Sequence, residues 1–265
     1  MSYIKPVEPS ELGIAPRFAM PAWRHGIGIV GFGSIARHAH APAYQQMGWP
    51  IVAVADTDPA ARETARTQFG VDRIYERYED LIADPAVDVI DLLTLPTLRE
   101  DAVRAAAATH KPIITEKPLA ATMAEAERMV SIAAEAGIPL GVHQNYRWMS
   151  TNYVVRELLE RGWIGAPFLL SIEIFGTQDR HLAGHAYYAT CTDFLPVQWN
   201  NHLADLLRYW TGRDALRVWA TTRRMAGQKF VSDNLLISIH DSGHTGTEVV
   251  DGDQQVVGHE LLSRH

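Results

Sequence analysis

The feature that most constrains this chain is a glycine-rich segment, GIGIVGFGSIA, over residues 26–36. An apolar run ends at Gly31, and small residues then permit a sharp turn into a helix beginning near Ser34. Gly31 suits the tight turn, and Gly33 leaves room for a phosphate to approach the backbone. The segment therefore predicts a strand–turn–helix phosphate site, where the first helical N–H groups, near Ser34 and Ile35, meet a pyrophosphate.

An acidic residue stands where a dinucleotide site needs one. Asp56 follows the apolar run at 51–55 and lies 23 positions beyond Gly33, close to the spacing at which a carboxylate reaches the adenosine ribose. The alternative is a turn or helix N-cap residue, because residues 57–59 open another helix. With the glycine turn in place we favour the cofactor role. A carboxylate repels a 2′-phosphate, so NAD is predicted, with NADP as the alternative because Arg62 is nearby.

Strand-like and helical runs alternate as far as residue 143, which predicts an α/β fold with a doubly wound parallel sheet. The predicted strands include 25–31, 51–55, 87–93, 112–115 and a sixth at 139–143. The predicted helices begin at Ser34, with a bend at Pro42, and cover 59–70, 78–83, 99–108 and 123–136. Ligands of such sheets bind at the carboxyl ends of the strands, where Pro96, Glu116 and Gln144 stand.

The pattern changes after residue 147, so we predict domains at 25–147 and 148–265, preceded by an extended, proline-punctuated arm over 1–24. Strands cluster after helices in the second part, which predicts an α+β domain with a mostly antiparallel open sheet. Its predicted elements are a helix at 152–161, a strand at 168–174, a helix from Pro196 and strands at 216–223 and 234–240. No strong strand is predicted beyond Asp241, so the C-terminus reads as shortened.

Composition excludes several classes of protein. The formal charge of −7 argues against a broad nucleic-acid surface, and no apolar run is long enough to cross a membrane. Cys191 is the single cysteine, which excludes an intrachain disulfide, and the N-terminus lacks a signal-peptide pattern. We therefore expect a cytoplasmic protein. His181 and His185 lack the pattern of a zinc site, so no metal is predicted.

Three further motifs resemble those of the Gfo/Idh/MocA oxidoreductases. They are EKPLA at 116–120, NYR at 145–147 and HLAD at 202–205, and with the glycine turn they span about residues 25–215. The resemblance implies a Rossmann domain followed by an α/β domain whose open sheet often forms oligomers. It also implies hydride transfer between NAD(P) and a hydroxyl or carbonyl carbon of a sugar, inositol or related polyol, and a homo-oligomeric protein.

Oxidation of an alcohol also needs a base for the hydroxyl proton. Lys117 stands at a strand's carboxyl end, and Pro118 suggests a cis peptide that aims it; the alternative is a surface lysine in a turn. The resemblance assigns acid–base chemistry to His202, whose alternative is a half-buried histidine with a structural hydrogen bond. Asp205 lies on the same helical face and either orients that imidazole or accepts a structural bond.

The sequence departs from the family pattern at Gln198, where the resemblance leads us to expect an aspartate one helical turn before His202. An amide hydrogen-bonds a substrate but cannot accept its proton. We predict that Gln198 positions the substrate, and that the following residues line its pocket where the two domains meet: Gln144, Tyr146, Arg147, Trp148 and Asp205. The alternatives to the dehydrogenase are a catalytically silent or regulatory nucleotide-binding protein and an NAD-assisted lyase or glycosidase.

Overall fold

The computed structural model describes residues 11–14, 24–167, 169–172, 195–223 and 234–241. Its main feature is a sheet of six parallel strands in the order β3-β2-β1-β4-β5-β6. The strands are β1 (Ile27–Val30), β2 (Ile51–Ala55), β3 (Arg73–Tyr75), β4 (Val89–Leu92), β5 (Ile113–Thr115) and β6 (Leu140–Val142). The helices that connect them are α1 (Ala41–Met47), α2 (Pro59–Phe69), α3 (Tyr78–Ala83), α4 (Arg99–Ala108) and α5 (Met123–Ala136).

The sheet is buried on both faces, as parallel sheets are when helices cover each side. The two side-chain layers are separate hydrophobic clusters. One contains Ile29, Phe32 and Val54, and the other contains Ile90, Leu92 and Met129. β1 lies between β2 and β4 at the centre, and all four of its residues are buried. The carboxyl ends of the strands therefore rest on a rigid core.

Most predicted elements of this sheet are confirmed. Helix α5 has the expected capping box of Thr122 and Glu125 and ends at Gly137, whose φ is +67°. The bend expected at Pro42 is a π-helical turn over Ala36–His40, in which the N–H of Ala41 donates to the carbonyl of Ala36. β3 is a short edge strand for which the sequence pattern gave no bounds.

Residues after β6 form a second set of elements. A 3₁₀ turn (Asn145–Trp148) leads into α6 (Ser150–Glu160), and a π-helical turn (Leu195–Trp199) leads into α7 (Asn200–Thr211). Strands β7 (Ala215–Arg223) and β8 (Asn234–Asp241) pair antiparallel, as expected. The strand predicted over 168–174 is wrong for residues 169–172, which join no sheet, so their backbone has no strand partner.

Contacts divide the chain into two compact units, residues 19–143 and residues 1–18 with 144–265. The domain bounds predicted at 24 and 147 stay predictions. In the second unit, Arg161 at the end of α6 donates to the carbonyls of Leu12 and Gly13, and Ile14 is buried. No helix within the described ranges has the length and apolar character needed to cross a bilayer. The stretch beyond Asp241 lies outside the described residues.

Candidate active site

The glycine turn connects β1 to the first helix at the carboxyl edge of the sheet. Gly31 has a φ of +90°, and a Cβ there would lie 3.1 Å from the backbone of Leu93, so a side chain at this position would be strained. Gly33 differs, because a Cβ there would meet nothing within 4 Å. Ser34 and Ile35 are exposed at the helix start, whose first N–H groups have no intrahelical acceptor. This open, donor-lined turn fits a pyrophosphate.

Asp56 lies at the end of β2, beside the turn. Its Oδ2 accepts a hydrogen bond from the N–H of Phe32 at 2.6 Å, and its Oδ1 accepts one from Asp58 at 2.8 Å. The N-cap of α2 is Asp58, whose carboxylate accepts from the N–H of Ala60, so Asp56 is not the cap. The remaining lone pairs of Asp56 can accept from ribose hydroxyls.

Arg62 does not extend toward the turn as a phosphate ligand. Its Nη1 donates to the carbonyl oxygens of Asp56 at 2.7 Å and Thr57 at 3.1 Å, and its Nη2 lies 3.5 Å from Glu76. These contacts engage the guanidinium with the β2–α2 connection and with Glu76, which follows β3. The residue that left NADP open as an alternative therefore has a structural function.

The loop after β5 carries Glu116 and Lys117, and the predicted cis peptide before Pro118 is confirmed. A buried guanidinium holds this loop. Arg99, only 2% exposed, donates through Nε to the carbonyl of Thr94 at 3.0 Å and through Nη1 to the carbonyls of Glu116 and Pro118. Arg99 thereby ties the ends of β4 and β5 together. Pro96, also buried, begins the 3₁₀ turn that precedes α4.

The environment of Lys117 lowers the pKa of its ammonium. Burial is the largest cause, the nearby Arg99 charge acts in the same direction, and the Glu116 carboxylate opposes both. The backbone N–H of Lys117 donates to Oε2 of Glu116 at 3.0 Å. A lysine whose pKa is lowered toward neutrality exchanges protons more readily than an ordinary surface lysine.

Beneath this loop lies a buried polar cluster that the sequence reasoning missed. His40 contacts two carboxylates, with Nδ1 lying 2.9 Å from Oδ2 of Asp91 and Nε2 lying 3.2 Å from Oε1 of Glu116. Nε2 of His143 lies 3.1 Å from Oδ1 of Asp91, and the hydroxyl of Tyr44 donates to Oδ2 of Asp91 at 2.8 Å. The sequence contained one signal for this cluster. Asp91 lies within the apolar strand predicted at 87–93, and a carboxylate buried there requires hydrogen-bond partners.

The cluster raises the pKa of His40 to about 9, because the hydrogen bonds and charges of Asp91 and Glu116 outweigh burial. Burial alone would raise the pKa of Asp91, but its bonds with His143 and His40 reverse the direction and lower it. The pKa of Glu116 is lowered for the same reason, by His40. Metal-binding atoms of His40, Asp91 and His143 lie within 4.8 Å of one another, and each is engaged in these bonds.

In the second unit, the structure surrounds His202 with residues from the 3₁₀ turn. His202 is 4% exposed, and its Nδ1 lies 3.1 Å from Oε1 of Gln144. Because an amide oxygen only accepts, this bond places a proton on Nδ1. The ring of Tyr146 stacks on the imidazole, with centroids 4.0 Å apart and planes 4° from parallel.

The other predicted residues of this unit lie in different surroundings. Gln198 is 5% exposed and lies one helical turn before His202. Asp205 contacts Arg147 instead of the imidazole, through a two-pronged ion pair in which Nε of Arg147 donates to Oδ2 at 2.6 Å. Trp148 is 59% exposed. His181, His185 and Cys191 lie outside the described residues.

Comparison with known proteins relates the chain to a family of oxidoreductases. Residues 25–144 match the model of the GFO_IDH_MocA family, described as an oxidoreductase family with an NAD-binding Rossmann fold. The chain is 31% identical to D-apiose dehydrogenases of Paraburkholderia graminis, over 82% of this chain, and Rhizobium rhizogenes, over 77%. It spans 58% of the length of each of these relatives.

A solved structure gives the same result. An oxidoreductase from Agrobacterium radiobacter, crystallised with NAD⁺, L-tartaric acid and magnesium, is 29% identical and superposes with a TM-score of 0.71. The match covers 82% of this chain and 63% of that one. The family match extends over all six strands of the parallel sheet and includes the glycine turn and Asp56. Residues 25–144 of this chain belong to the Gfo/Idh/MocA family of oxidoreductases, as its NAD-binding Rossmann fold.

Proposed function

We propose that this protein is an NAD-dependent oxidoreductase acting on a hydroxyl or carbonyl carbon of a sugar, inositol or related polyol. The observation that carries the proposal is the position of Lys117. This half-buried lysine, with its lowered pKa, follows β5 at the same edge of the parallel sheet as the glycine turn after β1. An alcohol dehydrogenase needs a proton-exchanging group beside its nucleotide site.

Oxidation of a secondary alcohol releases a hydride from carbon and a proton from oxygen. NAD, when bound, accepts the hydride. The neutral amine of Lys117 takes the hydroxyl proton, and in the reverse direction its ammonium returns that proton to the carbonyl oxygen. Burial and the Arg99 charge lower the pKa of Lys117 and so favour its neutral amine. The Glu116 carboxylate raises that pKa and so favours the ammonium that the reverse step needs.

His202 supplies the second proton-transfer group in the proposal. Gln144 fixes the proton on Nδ1 and Tyr146 holds the ring plane, so Nε2 is the nitrogen that takes up a proton. Gln198, one turn earlier, has an amide that donates to and accepts from substrate hydroxyls. We assign Gln144 and Tyr146 to the orientation of His202, and the Arg147–Asp205 pair to support of the turn that carries them.

The substrate class rests on the relatives. Two of them are named D-apiose dehydrogenases, and others are named inositol and levoglucosan dehydrogenases. The compounds in these names all carry several hydroxyl groups. A substrate of that kind suits hydrogen-bonding side chains such as Gln198. A cytoplasmic homo-oligomer that uses the antiparallel β7–β8 sheet for assembly belongs to the same proposal.

A polyol screen tests the function. The protein is incubated with NAD and a panel of pentoses, hexoses and inositols, and NADH formation is followed by absorbance. We expect turnover with at least one member, a loss of about 100-fold or more in Lys117→Ala because a proton-transfer group contributes 10²–10⁴-fold, and unchanged turnover in His110→Asn. Activity that survives Lys117→Ala would remove the lysine from the mechanism.

One observation supports a second candidate. Gln198 occupies the place of an expected carboxylate, so the π-helical turn before α7, Leu195–Trp199, contains no charged residue. An enzyme that oxidises its substrate transiently, eliminates or cleaves a bond and then returns the hydride would produce no net NADH. Mass spectrometry of the reaction mixture distinguishes the two functions, since only this candidate yields an eliminated or cleaved product with NAD unchanged.

A further inference from the structure

We propose that His40 is a positioning residue, held as an imidazolium between two carboxylates, and that it fixes the Lys117 loop by clamping Glu116 to Asp91. This inference rests on the proposed function, because the loop it positions carries the proposed acid–base group. None of the sequence motifs includes His40. The proposal stands on the hydrogen-bond geometry of the buried cluster.

The position of His40 follows from the π-helical turn. Pro42 has no N–H to continue an ordinary helical ladder, and the N–H of Ala41 reaches back five residues to Ala36 instead. His38 and Ala39 are exposed, whereas the side chain of His40 is 10% exposed and lies against the ends of β4 and β5. The irregular turn therefore directs a histidine toward the sheet.

Both ring nitrogens of His40 face carboxylate oxygens. Oδ2 of Asp91 also accepts from Tyr44, and Oδ1 of Asp91 is bonded to His143, so Asp91 receives three hydrogen bonds. Glu116 receives two, from His40 and from the backbone N–H of Lys117. Ionised carboxylates only accept, so both nitrogens of His40 must donate, which requires the charged ring.

The charges of the cluster balance in this state. Two carboxylates, Asp91 and Glu116, meet one imidazolium and the Lys117 ammonium, while Nε2 of His143 contacts Oδ1 of Asp91 on the other side. Removal of the His40 proton would leave a buried carboxylate facing a lone pair. The groups facing His40 from the neighbouring elements are Asp91, Glu116, His143 and Tyr44.

The clamp reaches the lysine through Glu116. His40 holds Oε1 of Glu116, and Oε2 of the same carboxylate holds the N–H of Lys117. Arg99 holds the carbonyls on the other side of the loop. The residues from Glu116 to Ala121 have no helix or strand of their own, so these side-chain bonds replace a regular backbone ladder.

Histidine-ring NMR of the wild-type protein is the primary test. With ¹⁵N-labelled histidine, we expect both His40 ring nitrogens to be protonated at neutral pH. The ring should lose its proton at a pH well above that at which an ordinary histidine does. A neutral His40 ring at pH 7 would overturn the proposal even if the enzyme turns over. A charged ring in a protein without polyol turnover would uphold the clamp and reject the proposed function, so the two failures are distinguishable.

Two variants test the path to Lys117. His40→Gln keeps a donor near the Nε2 position, toward Glu116, whereas His40→Asn keeps one near the Nδ1 position, toward Asp91. We expect kcat to fall in both, about tenfold more in His40→Asn, with KM for NAD changed less than twofold. Equal losses, or a larger loss in His40→Gln, would contradict the path; His110→Asn at the opposite end of β5 is the control.

Metal analysis closes the test. His40, Asp91 and His143 also have atoms that could bind a metal ion, and these atoms lie close together. Zinc is therefore measured in the purified protein and after equilibration with Zn²⁺. We expect no stoichiometric zinc. One zinc per chain that disappears in both His40 variants would overturn the clamp, because a metal would then occupy the position of the shared protons.

Discussion

Asp91 shows what a single buried polar residue demands of its surroundings. It lies within a central parallel strand, is 1% exposed and is surrounded by two histidines and a tyrosine. The sequence places a carboxylate in an apolar strand but does not say which distant donors meet it, since His40 and His143 are 51 and 52 residues away. The strand and the helical turn on either side of the glycine turn were predictable from the local sequence, whereas these long-range partners were not.

Stability should depend on the His40 proton. The folded-state pKa of about 9 exceeds the ordinary 6.5, so the folded protein keeps a proton that the unfolded chain has lost. The contribution is fully present below pH 6.5 and is lost as pH rises through 9. By linkage this amounts to about 3 kcal/mol. Urea unfolding from pH 6 to 10 should show the loss, and a flat or rising free energy of unfolding would contradict it.

Asp56 should set cofactor choice. In Asp56→Asn we expect NADH binding to weaken on the order of tenfold and the preference for NADH over NADPH to decrease, because the amide no longer repels a 2′-phosphate. Fluorescence transfer from tryptophan to the reduced nicotinamide measures both affinities. Asp58→Asn is the matched control, since asparagine also caps a helix. An unchanged preference in Asp56→Asn would exclude the ribose contact.

At the scale of elements, the β–α units were predictable because their signals are local. The capping box of α5 and the glycine that ends it are sequence features, and the helix bounds follow. The π-helical turn before α1 was predictable only as an interruption at Pro42. Its consequence, the inward position of His40, depends on packing against β4 and β5. The edge strand β3 is too short for a periodic pattern to mark its bounds.

Substitutions at the two glycines of the turn should have different effects, one on NADH binding and the other on stability. Gly33→Ala adds a methyl group into open space, so we expect a melting temperature within about 2 °C of wild type and NADH binding weakened on the order of tenfold or more. Gly31→Ala places a Cβ against the Leu93 backbone at a positive φ and should cost about 1–3 kcal/mol of stability. Normal NADH affinity in Gly33→Ala would remove the turn from the nucleotide site.

At the scale of the whole molecule, the alternation of strands and helices predicted the parallel sheet, and the family motifs predicted the fold class. The second unit was less accessible from sequence. The run of strand-forming residues at 168–174 gave the wrong expectation for 169–172, because strand propensity does not supply a neighbouring strand. Likewise, Gln144 carried no sequence signal that it would hydrogen-bond His202.

The most direct measurement follows the hydride itself. The polyol that turns over fastest is prepared with deuterium on its carbinol carbons and incubated with NAD, and the reduced cofactor is analysed by mass spectrometry. We predict NADH carrying one deuterium, formed together with an equal amount of ketone or aldehyde, and both products formed more slowly in Lys117→Ala, by about 100-fold or more. Unlabelled NADH, or product formed with no labelled cofactor at any stage, would contradict an NAD-dependent oxidoreductase.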